Sequence, residues 1–270
     1  GTLPPARGSY RGAMYDSVRD RMLVFALGDT SGVWALSLAG TPAWSEISPT
    51  GTRPTPRYGS TVIYDPVRDR MLMFGGYEDS DSYRNDVWSV SLSGAPAWSE
   101  LRPGGPLPPA RYGHTAIYDP VRDRMVVFGG SGNAASVTGV WARSLSGTPA
   151  WSELGPGPVP ASLANHTAIY DPVRDRMVVF GGSSYYVSSA VWALSLSGTP
   201  AWSELSPGGP LPTQRSGHTA IYDPVRDRML ILGSSPDVWA LSLAGTPKWS
   251  VLSPTGTPPK GTYGHTAIYD

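Results

Sequence analysis

One unit of about fifty residues is written five times along this chain, and this repetition constrains the fold more than any other feature. The string Tyr-Asp-x-Val-Arg-Asp-Arg-Met begins, at intervals of 49 to 54 residues, at Tyr15, Tyr64, Tyr118, Tyr170 and Tyr222. A sixth copy is present as Tyr269 and Asp270. Each repeat carries two tryptophans ten positions apart, and these pairs account for all 10 tryptophans. Such a chain is expected to fold as copies of one supersecondary unit that cover each other's apolar faces.

Composition favours a β-rich protein with many turns. Glycine (32) and proline (28) are in excess, a bias that approaches the range of low-complexity chains. The 10 tryptophans and 14 tyrosines, however, supply far more apolar surface than a disordered segment contains. The absence of cysteine excludes disulfides, thiolate metal sites and a cysteine nucleophile. With 21 basic and 21 acidic residues, there is no electrostatic reason to expect nucleic acid or an anionic membrane as a partner.

Four strands are predicted in each repeat, and the third repeat shows them most clearly. Strand A spans 114–118, strand B 125–128, strand C 140–145 and strand D 150–154. Asp-Pro, Gly-Gly and Gly-Thr-Pro sequences separate the strands and supply the turn residues. Strand B, Met-Val-Val-Phe, is a continuous apolar run, which is typical of a strand covered on both faces. Radial stacking of similar blades covers a sheet in this way.

The repeat resembles that of the kelch family of β-propellers. The resemblance rests on Arg-Tyr-Gly-His-Thr at 111–115, Phe-Gly-Gly at 128–130, Asn-Asp-Val-Trp at 85–88 and Trp-Ser-Glu-Leu at 98–101. It extends over all 270 residues, and its departures are local, such as Arg11 in place of the histidine of later repeats. It implies an all-β, kelch-type β-propeller with five complete four-stranded blades plus one extra innermost strand at the C-terminus.

We expect residues 1–270 to form a single β-propeller domain. Its repeats run approximately over 1–50, 51–104, 105–156, 157–208 and 209–255, with a partial repeat at 256–270. Strand A is thus present six times, whereas strands B, C and D are present five times. A closed five-bladed ring would leave one strand A redundant, and a six-bladed ring would need three strands from other residues. An excised portion of a longer array would expose strand edges that propellers normally protect, and the sequence leaves these alternatives open.

Loop variation indicates which face of the propeller recognises a ligand. The A–B and C–D turns share one face and are almost constant, whereas the B–C loops, beside the D–A connections on the opposite face, share almost nothing. A ligand needs different groups at different positions, so we expect recognition on the B–C/D–A face near the axis. The charged A–B turns have two possible interpretations: a ring of ion pairs that binds a partner, or a self-neutralising, solubilising turn.

Three arginines are candidates for binding an acidic ligand. Arg57, Arg111 and Arg215 each precede the first residue of strand A by three positions. The resemblance places them at the mouth of the central channel, where kelch propellers that capture acidic peptides use arginines. A guanidinium fork suits a carboxylate. The alternative is a turn-stabilising role, in which each arginine donates to backbone carbonyls.

All four histidines occupy one position, the start of strand A: His114, His166, His218 and His265. The resemblance makes strand A innermost, so these imidazoles could converge on the axis and bind a divalent metal. Such a ring would be incomplete, because Arg11 and Ser60 stand at this position in the first two repeats. The resemblance favours the other interpretation, a structural histidine that forms hydrogen bonds between blades. No cofactor is predicted.

Two B–C loops carry further candidate ligand-binding residues. The longest loop concentrates acidic and aromatic residues, and its candidates are Tyr77, Glu78, Asp79, Asp81, Tyr83 and Arg84. Oxygen ligands at this density could hold calcium, but no glycine stands where an EF-hand loop requires one, and a solvated loop is the simpler interpretation. In the fourth repeat, the adjacent Tyr185 and Tyr186 could stack on a sugar ring, anchor a protein partner, or pack internally.

These features favour a non-catalytic recognition or scaffold module that binds a protein or glycan on the B–C/D–A face. Kelch-type copper-radical oxidases need a cysteine, which this chain lacks, and no catalytic triad stands out. The alternatives are an enzyme with an axial site for a small molecule or sugar, and a structural subunit of a larger surface assembly.

Glycine and proline interrupt the uncharged stretch 177–203, so no membrane span is predicted. Arginine outnumbers lysine 19 to 2, which favours a bacterial source, and we expect an extracellular or cell-surface location.

Overall fold

The chain forms a β-propeller of five four-stranded blades. The computed structural model describes residues 3–4, 12–26, 32–79, 82–133, 137–155, 160, 163–183, 186–233, 235–256 and 264–270. These residues contain twenty strands and no helix, so no described segment has the long apolar helix needed to cross a membrane. Each blade is an antiparallel sheet whose strand order follows the chain. The predicted all-β architecture of five complete blades is confirmed.

The strands are numbered β1 to β20 in chain order. Blade one contains β1 (Ala13–Asp16), β2 (Arg21–Ala26), β3 (Gly32–Ser37) and β4 (Trp44–Ile47). Blade two contains β5 (Thr61–Asp65), β6 (Arg70–Tyr77), β7 (Tyr83–Ser91) and β8 (Trp98–Leu101). Blade three contains β9 (Thr115–Asp119), β10 (Arg124–Phe128), β11 (Val140–Ser144) and β12 (Trp151–Glu153). Blade four contains β13 (Thr167–Asp171), β14 (Arg176–Phe180), β15 (Val191–Ser195) and β16 (Ala201–Leu205). Blade five contains β17 (Thr219–Asp223), β18 (Arg228–Leu232), β19 (Val238–Ser242) and β20 (Lys248–Leu252).

Two aspartates build each A–B turn. In blade three, the buried Asp119 accepts hydrogen bonds through Oδ1 from the backbone N–H of Val121 (3.1 Å) and Arg122 (3.2 Å). The second aspartate, Asp123, has a left-handed backbone with φ 46°, a conformation that aspartate tolerates better than most residues. The Asp-Pro-Val-Arg-Asp sequence therefore closes the A–B hairpin through its own side chains.

Strand B is covered on both faces, as its continuous apolar sequence predicts. In β10, Val127 belongs to the apolar cluster between blades two and three, which also contains Phe74. Its neighbours Val126 and Phe128 belong to the next cluster, where they pack with Met177 of blade four. Successive side chains of a strand point to opposite faces, so a strand between two blades must be apolar at every position.

The double glycine after strand B lets the next blade approach closely. Gly129 and Gly130 have φ values of 68° and 100°. A Cβ on Gly129 would lie 2.6 Å from the carbonyl oxygen of Leu163 and 2.8 Å from Cε1 of His166, both in blade four. The N–H of Gly130 donates to the same carbonyl of Leu163 (2.8 Å). Glycine is thus required both for the backbone conformation and for the contact.

The innermost segments form a ring of hydrogen bonds around the axis. The N–H of Gly113 donates to the carbonyl of Gly59 (2.9 Å), that of Asn165 to Gly113 (2.7 Å), and that of Gly217 to Asn165 (2.9 Å). Asn165 stands where four of the other five repeats have glycine, and its φ of 54° is also left-handed. The series continues from the N–H of Gly264 to the carbonyl of Gly217 (2.9 Å). Residues 264–270 therefore occupy a sixth innermost position.

The sixth position lies between blades five and one. On the side of blade one, the backbone N–H of Ala13 donates to Oγ1 of Thr266 (3.1 Å). The C-terminal copy of strand A therefore adds to the ring and does not replace the copy in β1. Residues 264–270 have no regular strand pairing, because no described strand B lies beside them. The extra innermost segment is present as expected, in extended form without a sheet of its own.

Candidate functional site

The propeller axis contains a cavity of about 230 Å³. Its lining includes equivalent residues from every repeat, at 12–13, 59–62, 113–116, 165–168, 217–220 and 264–267. Most of these residues are glycine, alanine, threonine and histidine. The cavity therefore presents small side chains and hydroxyl groups, and the histidines are the titratable groups among the described lining residues.

The described histidines of blades three to five bind the preceding blade. Each places its Nε2 2.8 Å from a threonine Oγ1, and the pairs are His114–Thr61, His166–Thr115 and His218–Thr167. Each imidazole also lies edge-on to a phenylalanine of that preceding blade, with 5.2 Å between ring centroids for Phe74 and His114. These contacts match the structural interpretation, a histidine that joins neighbouring blades.

Burial keeps these imidazoles neutral. It lowers the pKa of His166 to about 4 and that of His218 to about 3, and it lowers the pKa of His114 well below its usual value. His265 lines the axial cavity at the sixth position and is half-buried. Within the described ranges, no three histidine, aspartate or glutamate side chains are grouped closely enough to hold a metal ion. The geometry offers no support for an axial metal.

The three candidate arginines are buried beneath the B–C/D–A face. Arg111 donates through Nε to the carbonyl of Pro109 (3.0 Å) and through Nη1 to that of Gly129 (3.1 Å). Arg57 and Arg215 donate to the equivalent carbonyls of their own blades. Burial lowers the pKa of Arg111 to about 10. The geometry favours the turn-stabilising interpretation, and capture of an acidic ligand by these arginines stays a prediction.

Two of these arginines also meet a carboxylate that the sequence analysis did not single out. Arg57 pairs with Asp86, and Arg215 pairs with Asp237 at 3.4 Å. The indole N–H of the tryptophan two residues later donates to the same carboxylate, at 2.7 Å for Trp88 and Asp86. The Asp-Val-Trp sequence that opens strand C in blades two and five is the signal for this arrangement.

Four tyrosines cluster on the B–C/D–A face, where blades two and three meet. This tyrosine cluster consists of Tyr58, Tyr77, Tyr83 and Tyr112. Tyr83 and Tyr112 stack with 5.5 Å between ring centroids and an interplanar angle of 20°. Tyr77 lies 4.8 Å from Tyr112 and 5.7 Å from Tyr58. The cluster is only partly buried, and Tyr58 is 37% exposed.

Backbone pairing holds the tyrosine cluster in place. Tyr58 and Tyr77 exchange two hydrogen bonds, from N–H of Tyr58 to O of Tyr77 (2.8 Å) and from N–H of Tyr77 to O of Tyr58 (2.9 Å). Gly59 and Gly113, the residues after Tyr58 and Tyr112, line the axial cavity. The cluster thus adjoins the axis. Sequence reasoning named Tyr77 and Tyr83 but missed Tyr58 and Tyr112, which lie in the D–A connections.

A charged pair borders the tyrosine cluster. Arg84 donates to Glu78 through Nε (2.9 Å) and Nη2 (2.6 Å), and the hydroxyl of Thr55 donates to the same carboxylate. The hydrogen bond from Arg84 is the largest cause of a lowered pKa at Glu78. Asp79 is exposed beside this pair, whereas the candidate Asp81 lies outside the described residues. Because the carboxylate of Glu78 is paired with Arg84, the geometry offers no support for a calcium site in this loop.

A separate groove lies between blades four and five on the same face. It has a volume of about 610 Å³, and its lining includes Leu163, Glu204, Leu211 and Gln214. Tyr186 stands at this groove and is 86% exposed. Tyr185, the other candidate of this loop, lies outside the described residues. The structure therefore brings the blade-two loop candidates together and leaves Tyr186 in a different sector.

On the opposite face, the A–B turns form a belt of ion pairs between blades. The first arginine of each turn, in blades one to four, reaches the second aspartate of the next turn. The pairs are Arg19–Asp69, Arg68–Asp123, Arg122–Asp175 and Arg174–Asp227, with shortest distances of 2.5–2.7 Å. The constant turn sequence is therefore used in contacts between the blades, in addition to closing each hairpin.

Comparison with protein families finds one match that covers most of the chain. A family model of the kelch-repeat domain of KLHDC2, KLHL20 and DRC7 matches residues 20–234 and, again, residues 146–270. The two matches overlap, as is expected of a repeat that fits the model in more than one register.

Curated relatives cover large parts of this chain but are much longer. The host cell factor homolog hcf-1 of Caenorhabditis elegans is 30% identical over 184 residues, which are 59% of this chain and 23% of that protein. The leucine-zipper-like transcriptional regulator 1 homolog of Drosophila melanogaster is 27% identical, over 72% of this chain and 20% of that protein. Human host cell factor 2 is 27% identical, over 86% of this chain and 31% of that protein. The chain spans less than a third of the length of each.

Solved structures share the fold at low identity. The structure of YjhT aligns with a TM-score of 0.75 and 17% identity, covering 98% of this chain and 89% of that one. A fungal alcohol oxidase of the AA5 family, in complex with copper, aligns with a TM-score of 0.63 and 16% identity, covering 92% of this chain and 53% of that one. At this identity the likeness concerns the fold alone.

Proposed function

The chain belongs to the kelch-repeat family of β-propellers, and from this premise we propose that it is a protein-binding scaffold whose partner docks on the tyrosine cluster. Its kelch relatives, the host cell factors among them, support the scaffold part of the proposal. The partner would lie on the B–C/D–A face beside the axis, with the Glu78–Arg84 pair at its edge.

The observation that carries this proposal is the partial exposure of four neighbouring tyrosine rings, two on strands of blade two and two in D–A connections that pair with B–C loops. Aromatic rings held by backbone pairing provide a large contact area at low entropic cost, and tyrosine is enriched at the energetic centres of interfaces. Tyr58 and Tyr77 are fixed by reciprocal backbone hydrogen bonds, so little ordering remains for a partner to impose. The polar groups of Glu78, Asp79 and Arg84 would form the rim.

Site-specific crosslinking tests the location of the partner. A photoreactive phenylalanine analogue is placed at Tyr58, on the proposed face, in the full chain. The matched control carries it at Val173, which is 66% exposed in an A–B turn on the opposite face. After irradiation in an extract of the source organism, the proposal expects a polypeptide crosslinked at position 58 and absent at position 173. Equal crosslinking at both positions would contradict it.

Binding measurements with the recovered partner test the role of the rings. Tyr83→Ala and Tyr112→Ala each remove one ring of the stacked pair and are expected to weaken binding about tenfold or more. Tyr186→Ala makes the same change in the groove of blades four and five and should leave the affinity unchanged. If Tyr186→Ala has the larger effect, the recognition site lies in that groove. If a glycan array binds the chain through the tyrosine cluster and no protein does, the protein-scaffold proposal fails.

A further inference from the structure

We propose that the groove between blades four and five binds a short extended peptide that carries one large apolar side chain next to a lysine or arginine. The groove is lined by residues of the B–C loop of blade four, of β16 and of the connection from blade four to blade five. It lies in a different sector from the tyrosine cluster, so its ligand is expected to bind independently of a partner at that cluster.

Apolar side chains are exposed at this groove. Tyr186 is 86% exposed, Leu211 64% and Val187 37%, and all three line the groove. The buried Leu163 and Val191 line it as well. Its volume of about 610 Å³ lies within the range of about 300–1,000 Å³ that is usual for ligand sites. Apolar side chains left in water around such a concavity favour a ligand that brings an apolar group.

The loop that carries Tyr186 is fixed by backbone contacts. Ser183 and Val187 pair across the loop as an antiparallel bridge, and the N–H of Ser188 donates to the carbonyl of Gly182 (2.7 Å). The backbone that carries the Tyr186 ring is therefore in place before a ligand arrives. Less conformational entropy is then lost on binding.

One carboxylate gives the groove its charge. Among the described lining residues, Glu204 of β16 is the one charged side chain; the others are apolar or are serine, tyrosine and glutamine. Glu204 is exposed, and the described residues give it no ion pair. A carboxylate of this kind beside apolar surface favours a ligand that brings a cation and disfavours an acidic one.

The equivalent sector between blades two and three is closed. Nδ2 of Asn85 donates to the carbonyl of Pro108 (2.9 Å), which ties β7 to the connection into blade three. Glu100, the counterpart of Glu204, pairs with Arg102 at 2.9 Å. In that sector a carboxamide bridges the gap and a guanidinium neutralises the carboxylate.

Two serines account for the open groove between blades four and five. Ser189 stands where blade two has Asn85, and its hydroxyl group is shorter than a carboxamide. Ser206 stands where blade two has Arg102, so the carboxylate of Glu204 keeps its charge unpaired. Both serines line the groove. These two differences between repeats turn a closed, neutral sector into an open, acidic one.

Together these features define the chemistry of the ligand. Its apolar side chain would lie between Tyr186 and Leu211, and its ammonium or guanidinium group would pair with Glu204. Gln214, exposed at the same groove, offers a donor and an acceptor to the peptide backbone. The aliphatic Leu211 and Val187 favour an amino-acid side chain over a sugar, whose hydroxyl groups would lose water there without gaining hydrogen bonds.

Selection from a random peptide library displayed on phage, with the full chain as bait, tests this chemistry. The selected sequences should share a lysine or arginine next to a large apolar residue. The affinity of one selected peptide is then measured by fluorescence anisotropy. Tyr186→Ala is expected to weaken binding about tenfold and Glu204→Gln about threefold. The matched controls, Tyr112→Ala in the tyrosine cluster and Glu100→Gln in the closed sector, should leave the affinity unchanged.

Three outcomes of this experiment would overturn the assignment. They are failure to select any peptide, selected peptides without a basic residue, and an affinity that neither Tyr186→Ala nor Glu204→Gln lowers. If Tyr112→Ala alone removes binding, the peptide occupies the tyrosine cluster, and the groove assignment fails while the function proposed for that cluster stands.

Copying two residues of blade two into blade four should close the groove. In the double variant Ser189→Asn, Ser206→Arg, the carboxamide can reach the carbonyl of Pro212, the counterpart of Pro108, and the arginine can pair with Glu204. This variant is expected to bind the peptide at least tenfold more weakly. Its Tm should equal or exceed that of the unchanged chain, since both contacts exist in blade two. Full binding by the folded double variant would overturn the proposal.

Charge reversal identifies the group that meets the cation. Glu204→Lys should weaken binding of the selected peptide, and a peptide with glutamate in place of its lysine or arginine should bind this variant better than it binds the unchanged chain. Failure of the reversed peptide to rescue binding would show that Glu204 does not meet the cation, which would overturn the assignment.

Discussion

Arg122 of blade three and Asp175 of blade four form a two-pronged ion pair across the blade boundary. The Nη1–Oδ1 distance is 3.1 Å and the Nη2–Oδ2 distance is 2.6 Å. Arg122 Nη1 also lies 3.1 Å from Oδ2 of Asp119, the fully buried aspartate of its own turn. One guanidinium therefore joins a local turn to the neighbouring blade. A two-pronged, charge-assisted contact of this kind is stronger than a single exposed ion pair.

Removal of Arg122 should lower stability more than removal of Arg226, because Arg122 contacts both its own turn and the next blade, whereas Arg226 contacts only its own turn in the described structure. Arg122→Ala is expected to lower the free energy of unfolding by about 1–3 kcal/mol, because it removes the two-pronged contact with Asp175 as well as a donor to the buried Asp119. Arg226→Ala is the matched control, since Arg226 has the same place in its turn but no described partner in another blade. Its effect should be smaller. Urea denaturation of both variants measures the difference, and equal losses would show that the inter-blade contact contributes nothing.

Acid should destabilise the propeller through its buried histidines. Unfolding exposes His166 and His218, whose pKa values then rise from about 4 and about 3 to their ordinary value near 6.5. Between those values the unfolded chain binds more protons than the folded chain, so stability is full above pH 6.5 and falls as the pH falls. Below about pH 4 the carboxylates add to the loss, because hydrogen bonds from arginine lower the pKa of Asp123 and Asp175.

The histidine contribution is measured as the slope of stability against pH between 4.5 and 6.5. His166→Gln is expected to reduce this slope by about 1 kcal/mol per pH unit, the effect of one proton. Thr115→Val removes the hydroxyl that contacts His166 but keeps the imidazole, so it should lower stability while the slope persists. If His166→Gln leaves the slope unchanged, the imidazole is not the group that titrates on unfolding.

Gly129 and Gly147 lie in the same blade, but a change to alanine is expected to lower the free energy of unfolding by different amounts at the two positions. Gly129 and Gly147 have similar φ values of 68° and 61°, so alanine is strained at both by a similar amount. The new Cβ at position 129 would meet backbone of blade four at 2.6 Å, whereas the space around Gly147 is open to 4 Å. Gly129→Ala should therefore cost about 2 kcal/mol more than Gly147→Ala in thermal or urea unfolding. Equal costs would mean that backbone strain alone explains the double glycine.

Much of the fold could be predicted from the sequence because the repeat states the same information five times. Strand A was predicted at 114–118 and lies at Thr115–Asp119, and strand B was predicted at 125–128 and lies at Arg124–Phe128. The turn chemistry of Asp and Gly sets these limits locally, without help from tertiary structure. Ring closure depends instead on how repeats meet in space, which is why the place of residues 264–270 needed the structure.

The candidate site was only partly predictable, for a physical reason. Arg57, Arg111 and Arg215 are candidates for binding an acidic ligand. The structure shows that they are buried and that they donate to backbone carbonyls, and a sequence pattern shows neither the burial nor these partners. Tyr58 and Tyr112 were overlooked because both belong to the repeated Arg-Tyr-Gly sequence before strand A. A repeated sequence does not show how exposed each tyrosine side chain is. The signal is a contact between D–A connections and the B–C loop of blade two, since Tyr58 and Tyr112 each lie beside Tyr77.

A buried arginine in blade three departs from the pattern of its repeat. Arg143 of β11 is 2% exposed, and its Nε and Nη1 atoms have no hydrogen-bond partner in the described part of the chain. Burial, followed by the nearby charge of Arg70, lowers the pKa of Arg143 to about 10. Leu194 and Leu241 occupy the same position in blades four and five, fully buried. A cation therefore stands where the fold otherwise places an apolar side chain.

Replacement of this arginine by the residue of its counterparts should stabilise the protein. Arg143→Leu removes a desolvated charge and supplies an apolar side chain to the cluster between blades two and three, so we expect a gain of about 1–3 kcal/mol in the free energy of unfolding. The reciprocal Leu194→Arg should destabilise blade four, because it buries a new charge without a partner. Urea denaturation at neutral pH measures both changes. Loss of stability in Arg143→Leu would show that the guanidinium contributes favourable contacts that outweigh its burial.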